Sequence, residues 1–479
     1  MAEGIQHFDF LVLGGGSAGY AAARTACDFC QRVGIVDGSE ELGGLCILRG
    51  CMPSKTLIYS TEVLHLARSG GRFGLRIPEA GVDMRAMQER KRHWVKDFAD
   101  YRRSQLESGR FALFRQEGRF VGPHEVELRD GTILSAGKII VTTGSEVQVP
   151  PVPGLAESRA WTSDDILDLD ELPESIIVLG GGIVACELGQ FLARAGTRVT
   201  LIQRSPHVLK EASDQASMVI LEAFRDEGIE VFTGTTMEGV ETSDGKTRVR
   251  FIHRGQRVER EAGRLLNALG RRPRTGTLNL PAAGVRTGPN GHILHNPCQQ
   301  TDNPDIYTAG DCAGPVELVH VAVRQGEAAA RHAFGQTVAP MGYDALMVVI
   351  FTDPQVAWVG LREEEAKEKG FASVTAEYPF RDHGKSLLME APRGYVKLVA
   401  GESSQRILGA ECVGKDASEL IHAMTVPVCA GLTVSDCLRA DWYHPTLAEI
   451  WTYPLEELAE LPLTLPAACA DGKEEEEAS

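Results

Sequence analysis

No stretch of this chain is long and apolar enough to span a bilayer, so a transmembrane enzyme is not expected. An excess of positive charge is lacking too. The 49 lysines and arginines stand against 66 aspartates and glutamates, a net charge of −17. That balance argues against nucleic acid or an anionic membrane as partner. A secretory pattern is also missing: Met1 to His7 is a short polar lead and Phe8 to Leu13 already reads as a strand. The cytoplasm is the expected location. Without a secretory signal the 11 cysteines do not read as a disulfide framework, and most are expected as small buried hydrophobes. At 479 residues, 43% of them hydrophobic, the chain is too long for one core and long enough for roughly three domains.

What is present is glycine in tight clusters. Phe8-Asp-Phe-Leu-Val-Leu-Gly-Gly-Gly-Ser-Ala-Gly reads as strand, turn, helix. Gly14, Gly16 and Gly19 give G-x-G-x-x-G, where a tight turn, close approach to a pyrophosphate and close helix–strand packing each need a missing side chain. A second strand, Arg32 to Val36, ends at Asp37. That acid stands 23 positions after Gly14, about the spacing expected for a carboxylate on a ribose hydroxyl.

The pattern recurs at Ser175-Ile-Ile-Val-Leu-Gly-Gly-Gly-Ile-Val-Ala, with Gly180, Gly182 and Ala185 at the three small positions. The next strand, Arg198 to Ile202, ends at Gln203, again 23 positions on. Two such modules imply two dinucleotides, and electrons can pass between them. Gln203 replaces the ribose acid, and Arg204 and Lys210 follow, an arrangement that favours NADPH over NADH without excluding either.

Between the modules lies Gly43-Gly-Leu-Cys-Ile-Leu-Arg-Gly-Cys-Met-Pro-Ser-Lys. Cys46 and Cys51 are close enough for a small disulfide. Pro53 suits the first turn of a helix, which places Cys51 near a helix N-terminus, where a thiolate is stabilised. Two structural cysteines that happen to be close remain the alternative. Cys27 and Cys30 form a C-x-x-C pair expected inside a helix, and read as packing rather than redox.

Residues 56–115 read as amphipathic helix and 119–141 as strands ending in Thr142-Thr-Gly-Ser. Pro150, Pro151 and Pro153 mark a linker. Leu265-Leu-Asn-Ala-Leu-Gly-Arg-Arg closes the second module at Gly270. Gly310 and Asp311 follow a short strand, and Asp311 is placed to hydrogen-bond a ribityl chain. From Val348 strands and helices alternate, with one helix expected from Ala417 to Ala430. His444 and Glu449 lie five apart, close enough for a carboxylate to orient an imidazole as general acid–base. Ala467 to Ser479 is acidic, low in complexity and expected to be disordered.

Together these motifs resemble the flavin-dependent pyridine nucleotide–disulfide oxidoreductases with a C-x4-C centre. Dihydrolipoamide dehydrogenase, glutathione reductase and mercuric reductase belong to that family. The resemblance covers about residues 8 to 465 and implies an α/β fold. Two Rossmann-like domains, one for FAD and one for NAD(P), are expected, the second inserted in the first, with a C-terminal α+β dimerisation domain. The implied boundaries are 1–150 and 271–345 for FAD, 151–270 for NAD(P), 346–465 for dimerisation and 466–479 for the tail.

By the same resemblance FAD lies on Gly14, Gly16, Gly19, Asp37 and Gly44, with Thr143, Gly144, Ser145, Gly310 and Asp311 along its length. Lys55 sits near the flavin ring and pairs with Glu187. NADPH or NADH lies on Gly180, Gly182, Ala185, Gln203, Arg204 and Gly270. Cys51 faces the flavin, Cys46 exchanges with substrate, and His444, held by Glu449, serves the partner subunit of a homodimer. No metal ligand set is implied. The expected activity is two-electron transfer between nicotinamide and a small or lipoyl-protein dithiol/disulfide, as in dihydrolipoamide dehydrogenase. A mercuric reductase-like or other NADPH-dependent disulfide reductase is the alternative within the class. A non-catalytic flavoprotein sensor or complex subunit is the alternative outside it, although a binding module has no need for the whole cysteine–lysine–histidine set.

Departures narrow the substrate. Leu48 and Arg49 replace the family's usual Asn-Val between the cysteines. Arg24 matches one of two carboxylate-binding arginines of glutathione reductases, but Glu327 stands where the other belongs. Ile183 occupies their tyrosine gate. His320 resembles the lipoamide dehydrogenases, and Cys469 alone stands where mercuric reductases carry a vicinal pair.

Overall fold

The computed structural model describes residues 5–461; Cys469 and the acidic stretch 467–479 lie outside the described residues. The chain divides into two compact units. One holds the residues up to Lys210 and Phe224–Gly342; the other holds Glu211–Ala223 and the chain from Tyr343 onward.

In the first unit, runs of three to nine residues make the parallel part of a mixed sheet whose central strands are buried. Its neighbours run Ala112–Phe114, Val33–Val36, Gln6–Leu13, Ile133–Val141 and Ile306–Thr308. Near-continuous hydrophobic runs such as Val33–Val36, buried throughout, are what two covered faces require. The alanine-rich helix Ser17–Ala26 packs closely against helix Val319–Ala333 on this sheet, in a core with Phe10, Val12, Ile35 and Ile140. Small side chains allow that close approach.

The strand register positions the site. Leu13 pairs with Val36 and with Val141, and Val141 with Thr308. The residues just beyond these strands, Gly14, Asp37, Thr142 and Ala309, therefore sit level at the carboxyl edge, where open α/β sheets bind ligands. A second parallel sheet orders Glu230–Phe232, Arg198–Ile202, Ser175–Leu179 and Arg264–Asn267. Its register brings Gly180, Gln203 and Ala268 level in the same way. A two-stranded ribbon, Ser145–Val147 with Arg271–Pro273, ties the chain's departure from the first sheet to its return.

The second unit is a five-stranded antiparallel sheet ordered Met347–Ile350, Gln355–Gly360, Ile407–Gly414, Tyr395–Gly401 and Ser373–Pro379. Helices cover it around the buried Trp451, Phe380 and Met424.

Several local expectations change. The stretch 56–115 is two helices, Cys51–Arg68 and Met84–Leu106, and it ends in the edge strand Ala112–Phe114, too short to show alternation. The expected helix 417–430 is two, Ala417–Leu420 and His422–Ala430. Cys27 and Cys30 lie just past the helix end at Ala26 rather than inside it. Burial pushes both thiols up, Cys30 to about 11, which agrees with a packing role.

Candidate active site

The first glycine turn is a side-chain-free floor. Gly14 has φ +106°, and a Cβ there would lie 2.5 Å from the Thr142 carbonyl oxygen. A Cβ on Gly44 would lie 2.7 Å from the Gly16 Cα, so the two backbones touch. The Gly15 N–H donates to Asp37 Oδ2 at 2.8 Å, and Ser39 donates to Oδ1 from its N–H and its hydroxyl. A cleft of about 480 Å³ runs over this floor, from Asp37 past Gly14–Gly16 and Gly44 to Thr143, Gly144, Ser145 and Arg271. Its carboxylate, glycine turns and helix N-terminus match the ribose and pyrophosphate of FAD in chemistry and order.

Further along, Ser145 Oγ donates to Asp311 Oδ2 at 2.6 Å and accepts from Arg271 Nε at 2.8 Å. Gly310 N donates to the buried Gln325 Oε1 at 2.8 Å. Sequence reading missed Arg271 and Gln325. Arg271 adjoins a recognised motif, but Gln325 sits inside a helix and nothing local marks it.

The second turn repeats the geometry of the first. Gly180 N donates to Ile202 O at 2.9 Å, and helix Ile183–Ala195 starts after Gly182 with Ala185 fully buried. Gln203 is buried against Gly181, and Arg204 is exposed beside it. Gly270 accepts from Gln148 N at 3.0 Å, just before the ribbon strand Arg271–Pro273.

Cys46 lies on the short helix Leu45–Arg49, and Cys51 opens helix Cys51–Arg68, as its position before Pro53 predicts. Cys51 is exposed and Cys46 half-buried. A hydrogen bond from Cys46 holds the Cys51 thiol down to about 7, the Lys55 ammonium adds to this, and burial opposes it. The same hydrogen bond, together with burial, pushes Cys46 up. The asymmetry makes Cys51 the thiolate and Cys46 its donor. One turn on, Lys55 Nζ donates to the buried Glu187 Oε2 at 2.7 Å, because helices Cys51–Arg68 and Ile183–Ala195 pack together.

Arg24 does not stand ready for a carboxylate. Its guanidinium pairs with Glu327 Oε1 at 2.5 Å. Arg49 reaches toward Asp164 at 3.5 Å on the cleft wall.

In the second unit His444 Nδ1 lies 2.9 Å from Glu449 Oε2 and 3.0 Å from Oε1. Glu449 is acceptor-only when ionised, so Nδ1 carries the proton and Nε2 is left as the base. The His444 side chain is 80% exposed whereas that of Glu449 is 10% exposed. The imidazole is therefore presented outward on a fixed carboxylate. Among the described residues no helix is long and apolar enough to cross a membrane, and no group of His, Cys, Asp and Glu forms a metal site.

Comparison with known proteins agrees with this geometry. Residues 8–326 match the pyridine nucleotide-disulphide oxidoreductase family profile, and residues 346–454 match that family's dimerisation domain. A mercuric reductase of Lysinibacillus sphaericus is 34% identical over 92% of this chain and 81% of its own length. A dihydrolipoyl dehydrogenase of Chlamydia pneumoniae is 33% identical over 93% of this chain and 96% of its own length. Among solved structures, LpdA of Mycobacterium tuberculosis superposes with a TM-score of 0.85 at 26% identity, covering 95% of this chain and 100% of that one. The HOCl-induced flavoprotein disulfide reductase RclA of Escherichia coli shares the fold at a TM-score of 0.84 and 22% identity, covering 94% of this chain and 99% of its own. The chain belongs to the pyridine nucleotide-disulphide oxidoreductase family and is an FAD-dependent enzyme that couples NAD(P)H to a disulfide.

Proposed function

We propose that the enzyme moves electrons between nicotinamide and a dithiol/disulfide of the dihydrolipoamide type, through the Cys46–Cys51 pair. The observation that carries this reading is the split pair itself. Cys51 is held as a thiolate at a helix start, hydrogen-bonded by Cys46. When bound, FAD would supply two-electron redox chemistry between NAD(P)H and a disulfide. Asp37 would hold its ribose, the Gly14–Gly19 turn and Gly44 its pyrophosphate, and Thr143, Gly144, Ser145, Gly310 and Asp311 would line the rest of it. Lys55, held by Glu187, keeps positive potential beside Cys51. Gly180, Gly182, Ala185, Gln203, Arg204 and Gly270 hold the nicotinamide dinucleotide.

Cys46 exchanges with substrate. His444 Nε2 takes the proton of an attacking substrate thiol and returns it to the leaving thiol, while Glu449 steadies the imidazolium. The domains assigned are 1–150 with 271–345, 151–270 and 346–465. Subunits pair through the last to form a homodimer, and each supplies His444 to its partner. The protein acts in the cytoplasm.

Two features favour lipoamide-type substrates over glutathione disulfide. The Arg24–Glu327 ion pair occupies the cation that a glutathione carboxylate needs, and Ile183 stands at the tyrosine gate. The similarity to mercuric reductases makes Hg(II) the second substrate to test. Steady-state rates with lipoamide, glutathione disulfide and Hg(II), each with NADH and NADPH, decide the matter. Turnover of glutathione disulfide without lipoamide overturns the proposal.

A further inference from the structure

A second histidine also faces Glu449. His383 is fully buried, and its Nε2 lies 3.5 Å from Glu449 Oε1. On its other edge Nδ1 lies 2.9 Å from Oγ of Ser386, itself fully buried. Nε2 makes no hydrogen bond of ordinary geometry, and the Glu449 carboxylate 3.5 Å away is the charged acceptor it faces. A buried ring nitrogen of this kind is costly unless it is paired. One neutral tautomer pairs both ring nitrogens. The carboxylate can only accept, so the nitrogen facing it carries hydrogen, and Nδ1 accepts from the Ser386 hydroxyl.

The surroundings fix the ring. His383 follows the turn Phe380–Asp382, whose Phe380 is fully buried in the sheet core. Tyr453 meets the His383 ring edge-on, with centroids 6.1 Å apart and planes at 76°. Tyr453 is itself stacked on Tyr378 at 3.9 Å. Burial lowers the proton affinity of His383, Glu449 opposes that, and the neighbouring His444 adds to it. Those two are the charged groups that act on the ring, with Tyr453 and Ser386 as its neutral neighbours.

We infer that Ser386, His383 and Glu449 form a positioning relay for the catalytic His444. The Ser386 O–H donates to His383 Nδ1, and His383 Nε2–H steadies Glu449 Oε1. Oε2 is then left for His444 Nδ1–H. A neutral donor holds the carboxylate without cancelling its charge, so Glu449 keeps its full attraction for the imidazolium. A charged histidine there would compete with His444 for the same carboxylate. His383 is thus a positioning residue; it touches no reacting atom.

The inference rests on the role proposed above for His444, and the test separates the two. Holoenzyme variants are followed in both half-reactions: flavin reduction by NAD(P)H, which does not use the relay, and thiol–disulfide exchange, which does. His383→Leu lowers kcat of exchange about 10-fold with KM and the nicotinamide half-reaction unchanged. His383→Gln, whose amide nitrogen falls near the lost Nε2, restores the rate to within about 2-fold. Ser386→Ala, which loosens the tautomer alone, lowers it by about 3-fold. Selective 15N-histidine labelling reads His383 as the neutral Nε2–H tautomer from about pH 6 to about pH 8. Equal loss in the Leu and Gln variants, no loss in the Leu or Ala variant, or an Nδ1–H tautomer each overturns the relay. If His444→Gln instead leaves exchange untouched, the role of His444 itself fails.

Discussion

Lys55 Nζ reaches Glu187 Oε2 at 2.7 Å, and this bond joins the helix that begins with Cys51 to the helix behind the second glycine turn. A partly buried ion pair thus ties the helix of the proposed redox thiol to the proposed nicotinamide module. Lys55 lowers the proton affinity of Cys51 and Glu187 raises it. The two residues therefore make opposite predictions. Lys55→Met moves the pH midpoint of Cys51 alkylation in the reduced enzyme upward, and Glu187→Gln moves it downward. Removing Lys55 also takes the 2.7 Å ion-pair partner from the buried Glu187 carboxylate. The Met variant should therefore melt earlier as well. Iodoacetamide rates against pH, with mass-spectrometric site assignment, check the direction of both shifts.

Cys46→Ala tests the larger cause. Without the Cys46 hydrogen bond, the Cys51 midpoint rises from about 7 toward the ordinary thiol value. For a midpoint near 8.5, the thiolate fraction at neutral pH falls about 15-fold. Alkylation of Cys51 at pH 7 slows by the same factor. The sign follows from the lowered value: thiolate is present above the midpoint and lost as pH falls through it. An unchanged midpoint would leave Lys55 and the helix start as the whole explanation.

How far the sequence revealed these features depends on how local each one is. The glycine turns, Asp37, Gln203, Cys46, Cys51 and the His444–Glu449 pair are all written within short windows, and strand register then brings Gly14 level with Asp37 and Gly180 level with Gln203. Helix placement was legible at Cys51 because Pro53 marks a first turn. What stayed hidden depends on chain segments far apart in sequence. The Cys46 hydrogen bond outranks the helix start and Lys55 as the cause of the low Cys51 value, an ordering that spacing does not encode. Gln325 beneath Gly310 and His383 behind Glu449 come from other elements, 15 and 66 residues away. The edge strand Ala112–Phe114 has three residues, too few for a period to emerge beside a long helix.

Arg24 and Glu327 were legible as an unlikely carboxylate site, and their contact gives the reason a sharper form. The guanidinium is already taken by its neighbour at 2.5 Å. Glu327→Gln frees it, and KM for a carboxylate-bearing disulfide such as glutathione disulfide falls about 5-fold, with lipoamide kinetics unchanged. Raising ionic strength erodes the gain, because both side chains are partly exposed. No change in KM would mean that this pair does not face the bound substrate.

On the proposed binding mode, nicotinamide choice turns on Gln203 and Arg204, at the end of strand Arg198–Ile202. An acid at Gln203 would repel a 2′-phosphate; the buried, neutral Gln203 does not, and the exposed Arg204 beside it supplies a cation. Arg204→Ala therefore raises KM for NADPH about 10-fold and leaves KM for NADH nearly constant. Gln203→Glu reaches the same preference by repulsion, weakening NADPH while adding a partner for the ribose hydroxyls of NADH. Stopped-flow reduction of the flavin at graded concentrations of each nucleotide reads both effects ahead of the thiol chemistry. If Arg204→Ala weakens both nucleotides equally, the arginine binds the shared pyrophosphate rather than the 2′-phosphate, and discrimination between the two cofactors lies elsewhere.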